Sequence, residues 1–111
     1  PFKCTYCSNN KLSKVFSGQK RLRQLKPELI VKELLEAKKI IPNIDGIMFY
    51  EDDFFVRSKD ELTSLMTLYK KEIDLPININ ASIFTITEEK VDIIKNSGIE
   101  FQFVKNCSPF P

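Results

Sequence analysis

With 111 residues, of which 42% are apolar, the chain has room for one compact domain. Its 17 basic and 15 acidic side chains leave a formal charge of +2, too weak a single-sign field to select nucleic acid or an anionic lipid surface as a partner. No apolar run approaches the roughly 20 residues that a membrane-spanning helix needs, the first residues are not a charged-then-apolar export signal, and the expected location is the cytoplasm.

Residues 1 to about 25 lack a clean apolar period and read as a long functional loop rich in Cys, Ser, Asn and basic side chains. Pro27 fits the first turn of a helix, and Ile30, Val31, Leu34, Ala37 and Ile41 recur at helical spacing until Pro42 stops the run. Gly46 to Tyr50 is a short continuous apolar run, the pattern of a buried strand, and it ends on Glu51-Asp52-Asp53. Ser58 and Glu61 have the spacing of a capping box, with Leu62, Leu65, Met66, Tyr69 and Ile73 in one stripe behind them.

Pro76 opens a strand in which Ile77, Ile79, Ala81 and Ile83 share one face and Asn78, Asn80 and Ser82 the other. A helix follows from about Thr87, with Val91 and Ile94 inward and Gly98 placed to end it; Ile99 to Val104 supplies the last strand. Strands alternating with helices imply an α/β fold with a parallel sheet covered by helices. A parallel sheet buries both faces, so Asn78, Asn80 and Ser82 need polar partners. The mouth of a β/α barrel would supply them, and the acids at 51–53 end their strand at the equivalent place.

The chain has three cysteines and no histidine. An odd count with one close pair, Cys4-x-x-Cys7, is not a disulfide framework, and metal or redox chemistry is the expected use. Without histidine there is no Ser-His or Cys-His pair within these residues. Taken alone, the pair is compatible with zinc, a redox dithiol or an iron-sulfur cluster.

The context narrows this. Pro1-Phe2-Lys3-Cys4-Thr5-Tyr6-Cys7 resembles the end of the C-x-x-x-C-x-φ-C motif of radical SAM enzymes, with the first cysteine falling just before Pro1. The resemblance continues in Arg23 and Pro27-Glu28 through Glu33, similar to an R-x-R-S-P-E-x-x-x-x-E stretch of the cobalamin-associated branch, with Leu25 and Lys26 departing from it. Phe49-Tyr50-Glu51-Asp52-Asp53-Phe54-Phe55 resembles the strand-end D-D-x-F signature of that branch, matched from Asp52 or, one residue earlier, with Glu51 in place of the first Asp; the first register is preferred. Lys95-Asn96-Ser97-Gly98-Ile99 is similar to its L-K-x-A-G helix end.

The resemblance implies a partial (β/α) barrel of the radical SAM type: a cluster-binding loop at 1–25, βα units at 26–104, and a tail at 105–111 that departs from the family pattern. It implies that Cys4 and Cys7 ligate a 4Fe-4S cluster whose open iron holds S-adenosylmethionine, from which a 5'-deoxyadenosyl radical is made. Cofactor contacts are then expected from Tyr6, Glu51, Asp52, Asp53, Asn80 and Ser82. An electron-donor protein is an implied partner, and cobalamin would be held by a domain upstream. As the chain stands, with two thiolates and part of a barrel, it is expected to cleave no cofactor. The alternative is a non-catalytic α/β module in which the cysteines help to hold zinc.

Overall fold

The structure is a computed structural model that describes residues 8–19 and 23–105; Cys4, Tyr6, Cys7 and Cys107 lie outside the described residues. Pro27 stands in the first turn of α2 (Pro27–Ile40), where its missing N–H and fixed φ cost nothing, and Lys38 and Lys39 sit favourably in the last turn. The run ends before Pro42, which disfavours helical geometry in the residue ahead of it. Asn43, at φ 63°, then turns the chain toward β1 (Ile47–Phe49).

Ser58 caps α3 (Lys59–Glu72) through a complete capping box: its hydroxyl accepts from the Glu61 N–H at 3.3 Å, and the Glu61 carboxylate accepts from the Ser58 N–H at 3.0 Å. After β2 (Ile77–Ala81), Thr87 caps α4 (Glu88–Asn96) by accepting from the Lys90 N–H, and Gly98 closes it at φ +68°, a left-handed position that a side chain would strain. The last strand is β3 (Phe101–Lys105).

All strands are parallel, in the order β1-β2-β3. A parallel sheet wound in sequence order without reversal has every right-handed crossover on the same side, as in a β/α barrel. The burial pattern agrees. Ile77, Ile79 and Ala81 are buried with Leu62, Leu65, Met66, Tyr69 and Ile73 of the α3 region, Ile94 of α4, and Ile30 and Val31 of α2. On the other face the register sets Met48 beside Asn78 and Gln102, of which Met48 and Gln102 are exposed and Asn78 half-buried.

Within the core, the Tyr69 hydroxyl donates to the Leu75 carbonyl at 3.0 Å. Burial pushes its phenol well above the usual range, and the nearby Asp74 carboxylate adds to the effect.

Four expectations change. The stretch expected as loop up to residue 25 contains α1 (Ser8–Val15), whose Leu12 and Val15 are exposed; a helix with no buried stripe leaves no apolar period to read. The strand expected as buried at 46–50 is an edge strand with Met48 open and Tyr50 89% exposed, because one of its faces has no covering layer among the described residues. Ile41 is at the α2 C-cap and faces out. Ile83 is exposed because β2 ends at Ala81 and the chain turns at Ser82, whose carbonyl accepts from the N–H groups of Thr85 and Ile86 at 3.1 and 3.2 Å.

Candidate functional site at the C-terminal ends of β1 and β2

In a β/α barrel, chemistry gathers where the strands end, because the loops there are free to vary while the sheet beneath holds them. β1 ends at Phe49, and Tyr50-Glu51-Asp52-Asp53 lead directly into a 3₁₀ turn, Phe54–Val56. That turn is anchored from below. Phe54 and Phe55 are fully buried, and the Phe54 ring packs edge-on to Phe49 at 5.2 Å between centroids.

The three acids have different surroundings. Glu51 receives both its carboxylate oxygens' contacts from one nitrogen, Arg57 Nη1, at 2.8 Å each, and its backbone carbonyl accepts from Asn80 Nδ2 at 3.0 Å. Asp53 caps the 3₁₀ turn, accepting from the Phe55 N–H at 3.1 Å through Oδ1 and from the Thr85 hydroxyl at 2.6 Å through Oδ2. Asp52 is exposed, and its Oδ2 accepts from Asn9 Nδ2 of α1 at 2.7 Å. Among the described residues its Oδ1 has no hydrogen-bond partner.

Two residues of the expected polar face of β2 find partners at this end, while the third, Asn78, is half-buried and lines a cleft at the opposite ends of the strands. Asn80 is buried and donates to the end of β1, and Ser82, also buried, accepts from the Phe84 N–H at 3.3 Å. Among the described residues no buried side-chain nitrogen or oxygen lacks a partner. The turn after β1 is tied to its neighbours at several points: to β2 by Asn80, to the segment after β2 by Thr85, and to α4 by Lys90, whose Nζ donates to the Phe55 carbonyl at 2.6 Å.

The structure therefore gathers Glu51, Asp52, Asp53, Asn80 and Ser82 at one end of the sheet, while Tyr6, Cys4 and Cys7 lie outside the described residues. Asn9, Arg57, Thr85 and Lys90 belong to the same cluster and were not singled out by sequence. Arg57 carried a faint signal, a cation close behind an acidic triplet; Thr85 carried none. A small cleft lined by Asp45, Gly46, Pro76, Asn78, Glu100 and Gln102 lies at the opposite ends of the strands, the end that in β/α barrels serves stability.

These side chains suit an organic cofactor better than a metal ion. Among the described residues no three His, Cys, Asp or Glu side chains come together to hold a metal; Cys4 and Cys7, close in sequence to α1, lie outside them. Asp52 is the exposed carboxylate of the cluster, and a carboxylate can accept a charge-assisted hydrogen bond from an ammonium group.

Compared with known proteins, the chain matches the Radical SAM superfamily over residues 1–104. Neither curated proteins nor solved structures yield a match. A match over nearly the whole length, on a chain whose parallel strands wind in barrel order and end in a polar cluster, settles the family: the chain belongs to the radical SAM superfamily.

Proposed function

We propose that the chain forms the cofactor-binding part of a radical SAM enzyme of the cobalamin-associated type, with Cys4 and Cys7 as cluster ligands and a further cysteine immediately before Pro1 in the intact protein. Members of the superfamily are enzymes that use a 4Fe-4S cluster and S-adenosylmethionine for radical chemistry. When bound, the reduced cluster supplies one electron that breaks a carbon–sulfur bond of the sulfonium. The electron comes from a donor protein, and cobalamin is held by a domain outside these residues.

The residues of the chain bind and orient. Asp52 would present its carboxylate to the amino group of the cofactor, Tyr6 would lie on its adenine side, and Asn80 or Ser82 would meet its polar groups. Glu51 and Asp53 act through the turn they hold. The observation that carries this reading is the division of the acids: the carboxylates of Glu51 and Asp53 are engaged within the fold, while Asp52 is exposed beside α1, the helix that begins directly after Cys7. The Asp53-to-Phe55 cap also supports reading the D-D-x-F signature from Asp52, since the second acid then accepts from the N–H of the signature's aromatic residue.

Anaerobic reconstitution with iron and sulfide, on protein extended by the residue before Pro1, tests the ligand assignment. Brown protein with iron and sulfide in near-equal amounts is expected, and either Cys4→Ser or Cys7→Ser should lose most of the colour. Colourless protein that retains zinc would overturn the reading in favour of a non-catalytic metal module.

A further inference from the structure

Arg57 is the only buried charged residue among the described residues, at 6% exposure. Its Nη1 contacts both oxygens of Glu51 at 2.8 Å and donates to the Phe54 carbonyl at 3.2 Å, and the guanidinium carbon lies 4.8 Å from the centre of the Phe54 ring. Burying a cation is costly even when it is paired, and apolar side chains of similar volume often stabilise a fold equally well. Core stability alone therefore gives little reason for this arginine. What its contacts do accomplish is local: they clamp the chain at Glu51, one residue before Asp52, and at Phe54, two residues after it.

A planar guanidinium suits that task because it can stack on a ring and donate in its own plane at the same time, which an ammonium cannot do. The clamp is completed from β2, where Asn80 holds the Glu51 carbonyl, and from the following segment, where Thr85 holds Asp53. Every residue flanking Asp52 is thus fixed by another element, and Asp52 itself is left facing out.

We infer that Arg57 is a positioning residue for Asp52: by engaging the Glu51 carboxylate and the Phe54 carbonyl, it makes Asp52 the acid presented at the strand end. This rests on the reading above, in which Asp52 meets the cofactor.

The test is a double-mutant cycle on reconstituted protein, extended by the residue before Pro1, with S-adenosylmethionine binding measured by calorimetry. Asp52→Ala and Arg57→Met should each raise Kd by roughly tenfold, the scale at which the outer partners of ligating groups act, while the iron content stays unchanged. The double variant should bind no more weakly than Asp52→Ala alone, because Arg57 acts through Asp52. Arg57→Lys should recover only part of the loss. An unchanged Kd in Arg57→Met, or single effects that multiply to about a hundredfold in the double variant, overturns the inference.

A second readout needs no cofactor. In the cluster-free protein the Asn9 side-chain amide, bonded to Asp52, should move in the NMR spectrum of Arg57→Met toward its position in Asp52→Ala; an unmoved resonance contradicts the inference. Should Arg57→Met not fold, Glu51→Gln, which weakens the same clamp, is expected to shift the resonance in the same direction, and no shift there counts against Arg57. Wild-type protein with an intact cluster and no affinity for the cofactor would defeat the Asp52 reading, while the Asn9 amide would still decide what Arg57 does.

Discussion

Glu51, Asp52 and Asp53 are chemically near-identical neighbours, and their surroundings assign them separate tasks. An arginine takes the first, a backbone N–H and a threonine take the third, and the middle one faces out toward Asn9. The acidic triplet and the Asn80 face were legible from sequence because alternation in a strand dictates which side chains share a side. The partners were not, since Arg57 and Thr85 reach the acids through a turn and across strands, and no local period records such contacts.

Tyr69 offers a separate test at this scale. Its phenol is held neutral by burial, so its folded-state pKa lies above the unfolded value of 10.0. The stability this group contributes is therefore fully present below about pH 10 and falls as pH rises beyond it, where the unfolded chain loses the proton first. Urea denaturation of wild type and Tyr69→Phe should show a stability difference that is constant at neutral pH. Above pH 10 the wild type should lose ground to the variant by up to about 1.4 kcal/mol per pH unit. Parallel profiles throughout would mean that the phenol is not buried as described.

Among the elements, α3 and α4 were readable because their boundaries are written in local chemistry: Ser58 with Glu61, Thr87 before the helix, Gly98 after it. α1 was not, because it buries no stripe, and β1 was read as buried because an apolar run does not reveal that one face lacks a cover. The caps carry measurable weight. Ser58→Ala should cost about 1 kcal/mol through loss of the capping box. Gly98→Ala should cost about 1–2 kcal/mol because alanine is strained at φ +68°. A new Cβ at Gly98 would meet only Lys70, at 3.8 Å, so the expected effect is one of backbone strain and not of collision. Chemical denaturation of each variant gives the comparison, and an unchanged midpoint for Gly98→Ala would contradict the left-handed helix end.

For the molecule as a whole, parallel pairing brings the C-terminal ends of the strands to one edge of the sheet, and the position of the site follows from that. Helices shield one side of the sheet, its buried isoleucines forming the base on which the ends of β1 and β2 are held. Among the described residues no helix is long and apolar enough to cross a membrane. The sequence conveyed this architecture well, since alternating periods of strand and helix specify both the layers and the parallel pairing. It conveyed the cysteine loop only through resemblance, because spacing alone leaves the choice between zinc and a cluster open.

The electron paramagnetic resonance spectrum of the reduced, reconstituted protein, extended by the residue before Pro1 and recorded with and without S-adenosylmethionine, tests the central claim most directly. A signal from a reduced 4Fe-4S cluster that changes shape when the cofactor is added is the predicted result, because the cofactor occupies the cluster's open iron. A cluster signal indifferent to the cofactor, or a silent protein that holds zinc, would contradict it.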